Sequence, residues 1–305
     1  MIDADFNRDA IQSANFGVRL RSTQNMYFVP TDGPTKTALK SIFGETVAHF
    51  EAIPTAWEKL DISEDYGSRR RVYAERDNEF MKELSVIFDI GALDDLTNIG
   101  DHVSDIEYYF AVFSDDENRR AIGVKRATRM KGTMKARNRL VRLVDDTLQL
   151  IEEDVLRLDE EFDVIVSDAH VFILNVGAME QVARIVEQVA ATAAEKIQLI
   201  HDTLPFLDLT RIKEKIAGHP RVARNAASVA ANPNLGAFQR APIEALAAKH
   251  GIKFKVLADG RLQCRVQDNA KLIELLDARR YHLDLSGDGG DPYRATGRQK
   301  VAAGD

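Results

Sequence analysis

The sequence predicts an α/β (α+β) protein: an N-terminal mixed sheet with helices, followed by a mostly helical C-terminal half that contains a small β-hairpin. Three observations predict it. Short runs of β-branched and aromatic residues, divided by polar turn-formers, recur up to Leu174. After Asn175 aromatics become scarce and apolar residues repeat at helical spacing. A late pair of apolar runs brackets Asp259-Gly260, a dipeptide that supplies the positive φ angles of a tight hairpin turn. The halves are expected to join near Asn175, giving an α/β domain over 1–175 and a mostly helical domain over 176–305, with its hairpin at 252–266.

The elements follow in order. Phe16 to Val29 alternates loosely and suits one or two strands, broken by Pro30-Thr31-Asp32-Gly33-Pro34. Leu39, Ile42, Phe43, Val47 and Phe50 recur every three or four residues, which predicts an amphipathic helix over Thr35 to Glu51, capped by Thr35. Residues 61–105 are polar and irregular, with a short helix expected over Glu79 to Phe88. Ile106 to Phe113 reads as a strand, Asp115 to Asn118 as a turn and Ala121 to Thr128 as the returning strand. Leu140 to Ile151 fits either a hairpin about Asp145-Asp146 or a single helix. Phe162 to Val166 and His170 to Leu174 form a second hairpin around Ser167-Asp168-Ala169.

Beyond Asn175, the stripe Val182, Ile185, Val186, Val189, Ala193, Ile197, Ile200 marks a helix. Further helices are expected over Thr210 to Ile216, Arg221 to Ala231, Pro242 to His250 with Gly251 as its C-terminal cap, and Asn269 to Arg280. The Gly/Asp-rich Ser286 to Asp291 and the tail beyond Arg298 are expected to be mobile.

Composition removes several classes of function. The chain of 305 residues has 45% hydrophobic and 29% charged residues, enough for one or two cores. No apolar run approaches the roughly 18 to 20 residues of a membrane span, and the acidic start Met1-Ile2-Asp3-Ala4-Asp5 lacks the order of a secretory signal. A chain that neither crosses a membrane nor is exported by that route is expected. One cysteine, Cys264, excludes an internal disulfide and every multi-cysteine zinc site, and its apolar neighbours suggest a buried thiol. There is no P-loop, no His-Glu-x-x-His and no Gly-x-Ser-x-Gly, and the 7 histidines show no ligand spacing. No metal or cofactor is expected.

The order of elements around Phe162-Asp163-Val164-Ile165-Val166-Ser167-Asp168-Ala169-His170-Val171-Phe172-Ile173-Leu174-Asn175 resembles the central signature of the KwaB-like family of the bacterial Kiwa anti-phage system. That family is otherwise described as a domain of unknown function. The helical stretch that follows, the hairpin from Ile252 to Val266, the helix through Leu272-Ile273-Glu274-Leu275-Leu276 and the closing Tyr293 to Val301 carry the resemblance over about residues 105 to 301. It implies a cytoplasmic, homo-oligomeric defence protein, at least a dimer. Such a protein would act with a small multi-span membrane partner (KwaA-like) that recruits it to the inner face of the membrane. It would also bind DNA while arresting phage replication. No catalytic motif comes with it.

The residues themselves point the same way. Lys125, Arg126, Arg129, Lys131, Lys135, Arg137, Arg139 and Arg142 form a basic run without an intervening acid, in a chain whose net charge is −7. Such a run displaces counterions from a phosphate backbone and binds DNA without reading bases. An equally physical reading is pairing with the acidic block Asp145, Asp146, Glu152, Glu153, Asp154, Asp159, Glu160, Glu161 and Asp163, within a chain or between subunits. Arg211, Lys213 and Lys215, and the tail residues Arg294, Arg298 and Lys300, are weaker basic groups, and the triplet Arg69-Arg70-Arg71 reads as a solvated face. Asp163 and Asp168 flank a tight β element, as metal-nuclease carboxylates can. The sequence, however, has no Asp or Glu followed two residues later by Lys, and Asp163 reads as a strand-edge charge and Asp168 as a turn residue. The sequence therefore favours a non-enzymatic DNA-binding effector. A protein-binding scaffold or sensor is the alternative, with a metal-dependent nuclease behind both.

Overall fold

The structure is a computed structural model that describes residues 6–64, 66, 71–91, 93–127, 156–214, 216–284 and 290–295, and the backbone of 141–144 and 147–150. The chain forms two units, Met1–Lys59 with Ser68–Arg184 and Leu60–Gly67 with Ile185–Asp305. The class is mixed α/β, as the sequence predicts.

In the first unit, strands β1 (Ser13–Leu20) and β2 (Met26–Val29) precede helix α1 (Gly33–Ala52). Asp32, not Thr35, caps this helix: its carboxylate accepts the Thr35 N–H at 2.8 Å, supplying one of the amides that a helix start leaves without a partner. Proline is acceptable in that first turn because no N–H is needed there. Next come β3 (Trp57–Lys59), β4 (Arg71–Glu75) and the short helix α2 (Lys82–Phe88). Strand β4 lies in the stretch that reads as irregular, and it shows its strand character only in alternation, with Val72 and Ala74 buried.

Strands β5 (Ile106–Ser114) and β6 (Arg120–Arg126) form the expected hairpin. Its turn is held by Asp115, whose carboxylate accepts the N–H groups of Asn7, Glu117 and Arg119 and the Nε of Arg119. The ambiguous segment near Asp145 is a hairpin, β7 (Val141–Val144) with β8 (Thr147–Leu150). Strands β9 (Val164–Val166) and β10 (His170–Ile173) follow, then helix α3 (Val176–Val182), capped by the Asn175 side chain on the Ala178 N–H.

Eight strands make one sheet in the order β2-β1-β5-β6-β9-β10-β4-β3. Its pairings are antiparallel except β3 with β4. Leu39, Phe43, Val47 and Phe50 of α1 pack with Phe16, Tyr109, Phe113, Phe162 and Phe172 in one core. The α1 rings meet the sheet edge-on or tilted, with Phe43–Phe113 centroids 4.5 Å apart. On β5 the alternate residues Tyr108, Phe110 and Val112 are buried too, so both faces of this strand are covered.

In the second unit, helix α4 (Ile185–Thr203) carries the buried stripe Ile185, Val189, Ala193, Ile197, Ile200. The expected helix does not begin at Val182, because Arg184 takes a left-handed φ of 55° and divides α3 from α4. Then follow β11 (Leu207–Asp208), the helical turn α5 (Thr210–Lys213), α6 (Pro220–Ala230) and α7 (Arg240–Lys249). Gly251 ends α7 with φ +66°, as a C-terminal cap does. The hairpin β12 (Phe254–Val256) and β13 (Leu262–Cys264) pairs as expected, and β13 also lies parallel to β11. Helix α8 (Asn269–Leu276) stops four residues before Arg280, because Ala278 turns left-handed at φ 54°. Arg280 then opens β14 (Arg280–Leu283), which pairs with β15 (Asp291–Arg294). Residues 285–289 and 296–305, expected from sequence to be mobile in part, lie outside the described residues.

Candidate functional site

Lys125 and Arg126 are the members of the basic run whose side chains are described. They close β6, where the strand leaves the sheet. Arg142 lies in β7, described there as backbone, while Arg129, Lys131, Lys135, Arg137 and Arg139 lie outside the described residues.

The two described bases are not equivalent. The Lys125 side chain is 18% exposed, and its ammonium donates to Asp163 Oδ1 at 3.0 Å. The Arg126 side chain is exposed, and its main-chain N–H donates to Asp163 Oδ2 at 2.9 Å. The amide of Asn175 adds a third donor, 3.2 Å from Oδ1. Asp163 is itself buried, with 4% of its surface exposed. Its own N–H reaches the Val124 carbonyl, and its carbonyl accepts the N–H groups of Leu174 and Asn175. One residue thus joins the end of β6, the start of β9 and the start of α3.

This corrects the reading of Asp163 as a strand-edge charge. The signal was present in sequence as a lone acid between Phe162 and Val164, which are buried, but an acid beside apolar residues looks the same whether its partner is water or a lysine 38 positions away. Asn175, unassigned by sequence reasoning, carries no signal apart from its place as a helix cap. Asp168, at the far end of β9, behaves as the expected turn residue: its side chain is exposed and its carbonyl accepts Arg76 Nε at 2.7 Å.

Around this junction opens a cleft of about 690 Å³ lined by Lys125, Arg126, Asp163, Asn175, Gln181 and the acidic stretch Asp159, Glu160, Glu161. Two of these acids, Asp159 and Glu161, are held by named partners. The Asp159 N–H donates to the Tyr109 hydroxyl at 3.0 Å and its carboxylate pairs with Arg157, while Glu161 meets His49 Nδ1 at 2.5 Å. Burial pushes the Tyr109 phenol above its ordinary range, so it stays neutral there. The result is a polar cleft lined by an exposed arginine and an acidic wall.

Other candidate groups are placed elsewhere. Lys213 donates to Gln198 at 2.9 Å on an exposed helix face, and Arg294 pairs with Glu274 at 2.5 Å. Arg71, within β4, lies over the Trp57 ring at 5.9 Å, whereas Arg69, Arg70, Lys215, Arg298 and Lys300 lie outside the described residues. Cys264 is buried. Among the described residues no group of three or more His, Cys, Asp or Glu side chains is placed to hold a metal ion. Nor is any described helix long and apolar enough to cross a membrane.

Compared with known proteins, the chain has no match among curated proteins and none among solved structures. A family model described as Kiwa protein KwaB-like matches residues 103–285. That match runs from the approach to β5 through the cleft and on past β14, so it includes Lys125, Asp163 and Asn175. It points to a role in anti-phage defence. Since it spans more than half of the sequence, the chain belongs to the Kiwa KwaB-like family.

Proposed function

We propose that this chain is a non-enzymatic DNA-binding effector of a Kiwa-type anti-phage system. It holds the phosphate backbone through the basic run from Lys125 to Arg142. The observation that carries this reading is the exposed Arg126 side chain at the point where β6 leaves the sheet, with the five bases Arg129 to Arg139 between it and β7. A run of cations without an intervening acid suits sequence-independent contact, and nothing in the run proposes base readout. Asp163 is occupied by Lys125, Arg126 and Asn175, which favours a binding role over one as a metal-holding carboxylate. The resemblance to the family supports a cytoplasmic oligomer that works beside a small multi-span membrane partner to arrest phage DNA replication.

The test is fluorescence anisotropy with a labelled duplex at several salt concentrations, comparing the wild type with Arg129→Glu/Lys131→Glu/Lys135→Glu. Lys125 is left unchanged, because reversing it would set two negative charges against each other at a buried position. With about five phosphates neutralised, log affinity should fall with log salt at a slope of roughly −4 to −5. The triple variant should lose most of that binding while keeping its circular dichroism spectrum. Absence of binding by the wild type at low salt overturns the reading.

A second reading, a protein-binding scaffold, draws on the acidic wall Asp159 to Glu161, which suits a basic segment of a partner rather than DNA. Loss of partner association on reversing these acids, with DNA binding absent throughout, would favour it.

A further inference from the structure

We infer that Asp163 is a positioning residue that withholds Lys125 from DNA, so that the phosphate grip begins at Arg126. The inference rests on the DNA-binding reading and refines which of its charges are available. Two neighbouring cations at the end of β6 meet the same carboxylate in different ways. Asp163 takes the side-chain charge of Lys125 but only the main-chain N–H of Arg126. The lysine is turned into the fold with 18% of its side chain exposed, while the arginine side chain stays in solvent.

The pairing is hard to exchange for a phosphate. Asp163 is buried and anchored at both main-chain ends, so it cannot follow Lys125 outward. Moving the ammonium to DNA would leave a desolvated carboxylate with its charge uncompensated, which costs more than an exposed phosphate contact returns. Arg126 has the opposite situation. Its backbone is fixed by the same carboxylate, so its exposed side chain starts from a held point and loses less freedom on binding. Asp163 therefore acts on DNA binding through its two neighbours: it removes one charge and positions the next.

The experiment compares salt slopes of duplex binding for the wild type, Lys125→Gln, Asp163→Asn and the double variant, each checked for folding by circular dichroism. Lys125→Gln should leave the slope unchanged. Asp163→Asn should free the lysine and steepen the slope by about 0.9, one phosphate's worth. The double variant should return to the wild-type slope, because the gain needs Lys125. A purely structural role for Asp163 would lower stability without steepening the slope. Acylation footprinting provides a readout that needs no DNA. Lys125 should react much more slowly than the exposed Lys36 in the wild type, and comparably to it in Asp163→Asn.

A slope that falls by about 0.9 in folded Lys125→Gln would overturn the inference. So would wild-type Lys125 acylating as fast as Lys36. If Asp163→Asn does not fold, the Lys125→Gln slope and the wild-type footprint decide. Failure of the wild type to bind DNA is the separate outcome that overturns the proposed function, and with it any role of Asp163 in DNA binding. The footprint would then report only on whether the lysine is sequestered.

Discussion

The ring of Phe162 stands over Gly123, with its Cδ2 2.5 Å from the point where a β-carbon on Gly123 would lie. Phe162 is buried, meets Phe113 edge-on and donates its N–H to Thr46 of α1 at 3.0 Å. The absent side chain on β6 lets Phe162 lie flat against that strand, which brings the next residue, Asp163, within reach of Lys125.

Gly123→Ala should therefore destabilise the protein by about 1–3 kcal/mol, because the overlap falls on a ring enclosed by core residues. Gly44, inside α1 with nothing within 4 Å of its would-be β-carbon, should respond in the opposite direction. There alanine should stabilise by about 0.5–1 kcal/mol through helix propensity. Urea unfolding midpoints of the two variants check both signs.

Asp115 should make part of the stability depend on pH. Burial opposes its charge, but donors from Asn7, Arg119 and Glu117 outweigh that and hold its carboxyl below the ordinary range. Asp208 is lowered in the same way, with burial overcome by bonds from Thr210 and Gln263. A carboxyl with a lowered folded-state pKa stabilises the fold above its unfolded value, near 3.9, and that stability is lost as pH falls through the folded value. Unfolding free energy should thus decline below about pH 4. Asp115→Asn should cost about 1–3 kcal/mol at pH 7 and reduce the difference between pH 7 and pH 3, as measured by urea titration at each pH.

Cys264 should be inert in the native state. Burial pushes its thiol up to about 12, and the sulfur donates to Asn269 Oδ1 at 3.0 Å. At pH 8 hardly any thiolate exists to attack a reagent. A disulfide-exchange colorimetric assay should find no reactive thiol in the native protein and one per chain in guanidinium, matching the single cysteine of the sequence. Rapid native labelling would show that the thiol is accessible.

Arg279 should be among the costliest single positions in the second unit. It is buried, donates to Asp277 at 2.6 Å, and reaches the Ser63 carbonyl and Glu64 at 2.6 and 3.0 Å. These bonds hold the excursion Leu60–Gly67 in that unit. Arg279→Met removes the cation while Asp277 stays buried, so a loss of about 3–5 kcal/mol is expected. Limited proteolysis should then cut within residues 60–67, and the wild type should resist cleavage there.

Much of the local structure was legible because it depends on neighbours along the chain. The α1 stripe, the Asp259-Gly260 turn and the Gly251 cap each express a periodicity or a φ preference carried by a few adjacent residues. Strand β4 escaped detection because five residues with two buried side chains give too short a pattern, and its place in the sheet depends on β10, about a hundred residues away. The end of α8 was misjudged for a related reason. No glycine or proline marks a stop after Leu276, and Ala278 adopts a left-handed conformation that alanine does not advertise.

The same division applies to the candidate site. Sequence alone determined the mixed α/β class, the family resemblance and a basic run without acids, since each is a property of residue order and composition. Only the tertiary structure separated the two described charges of that run. Lys125 and Arg126 are adjacent cations, indistinguishable by type and position, yet one is paired with Asp163 and the other is exposed. Their difference arises from a carboxylate brought across the sheet by the β6–β9 pairing, and the strength of a charge pair depends on distance and burial, which a linear order of residues does not contain.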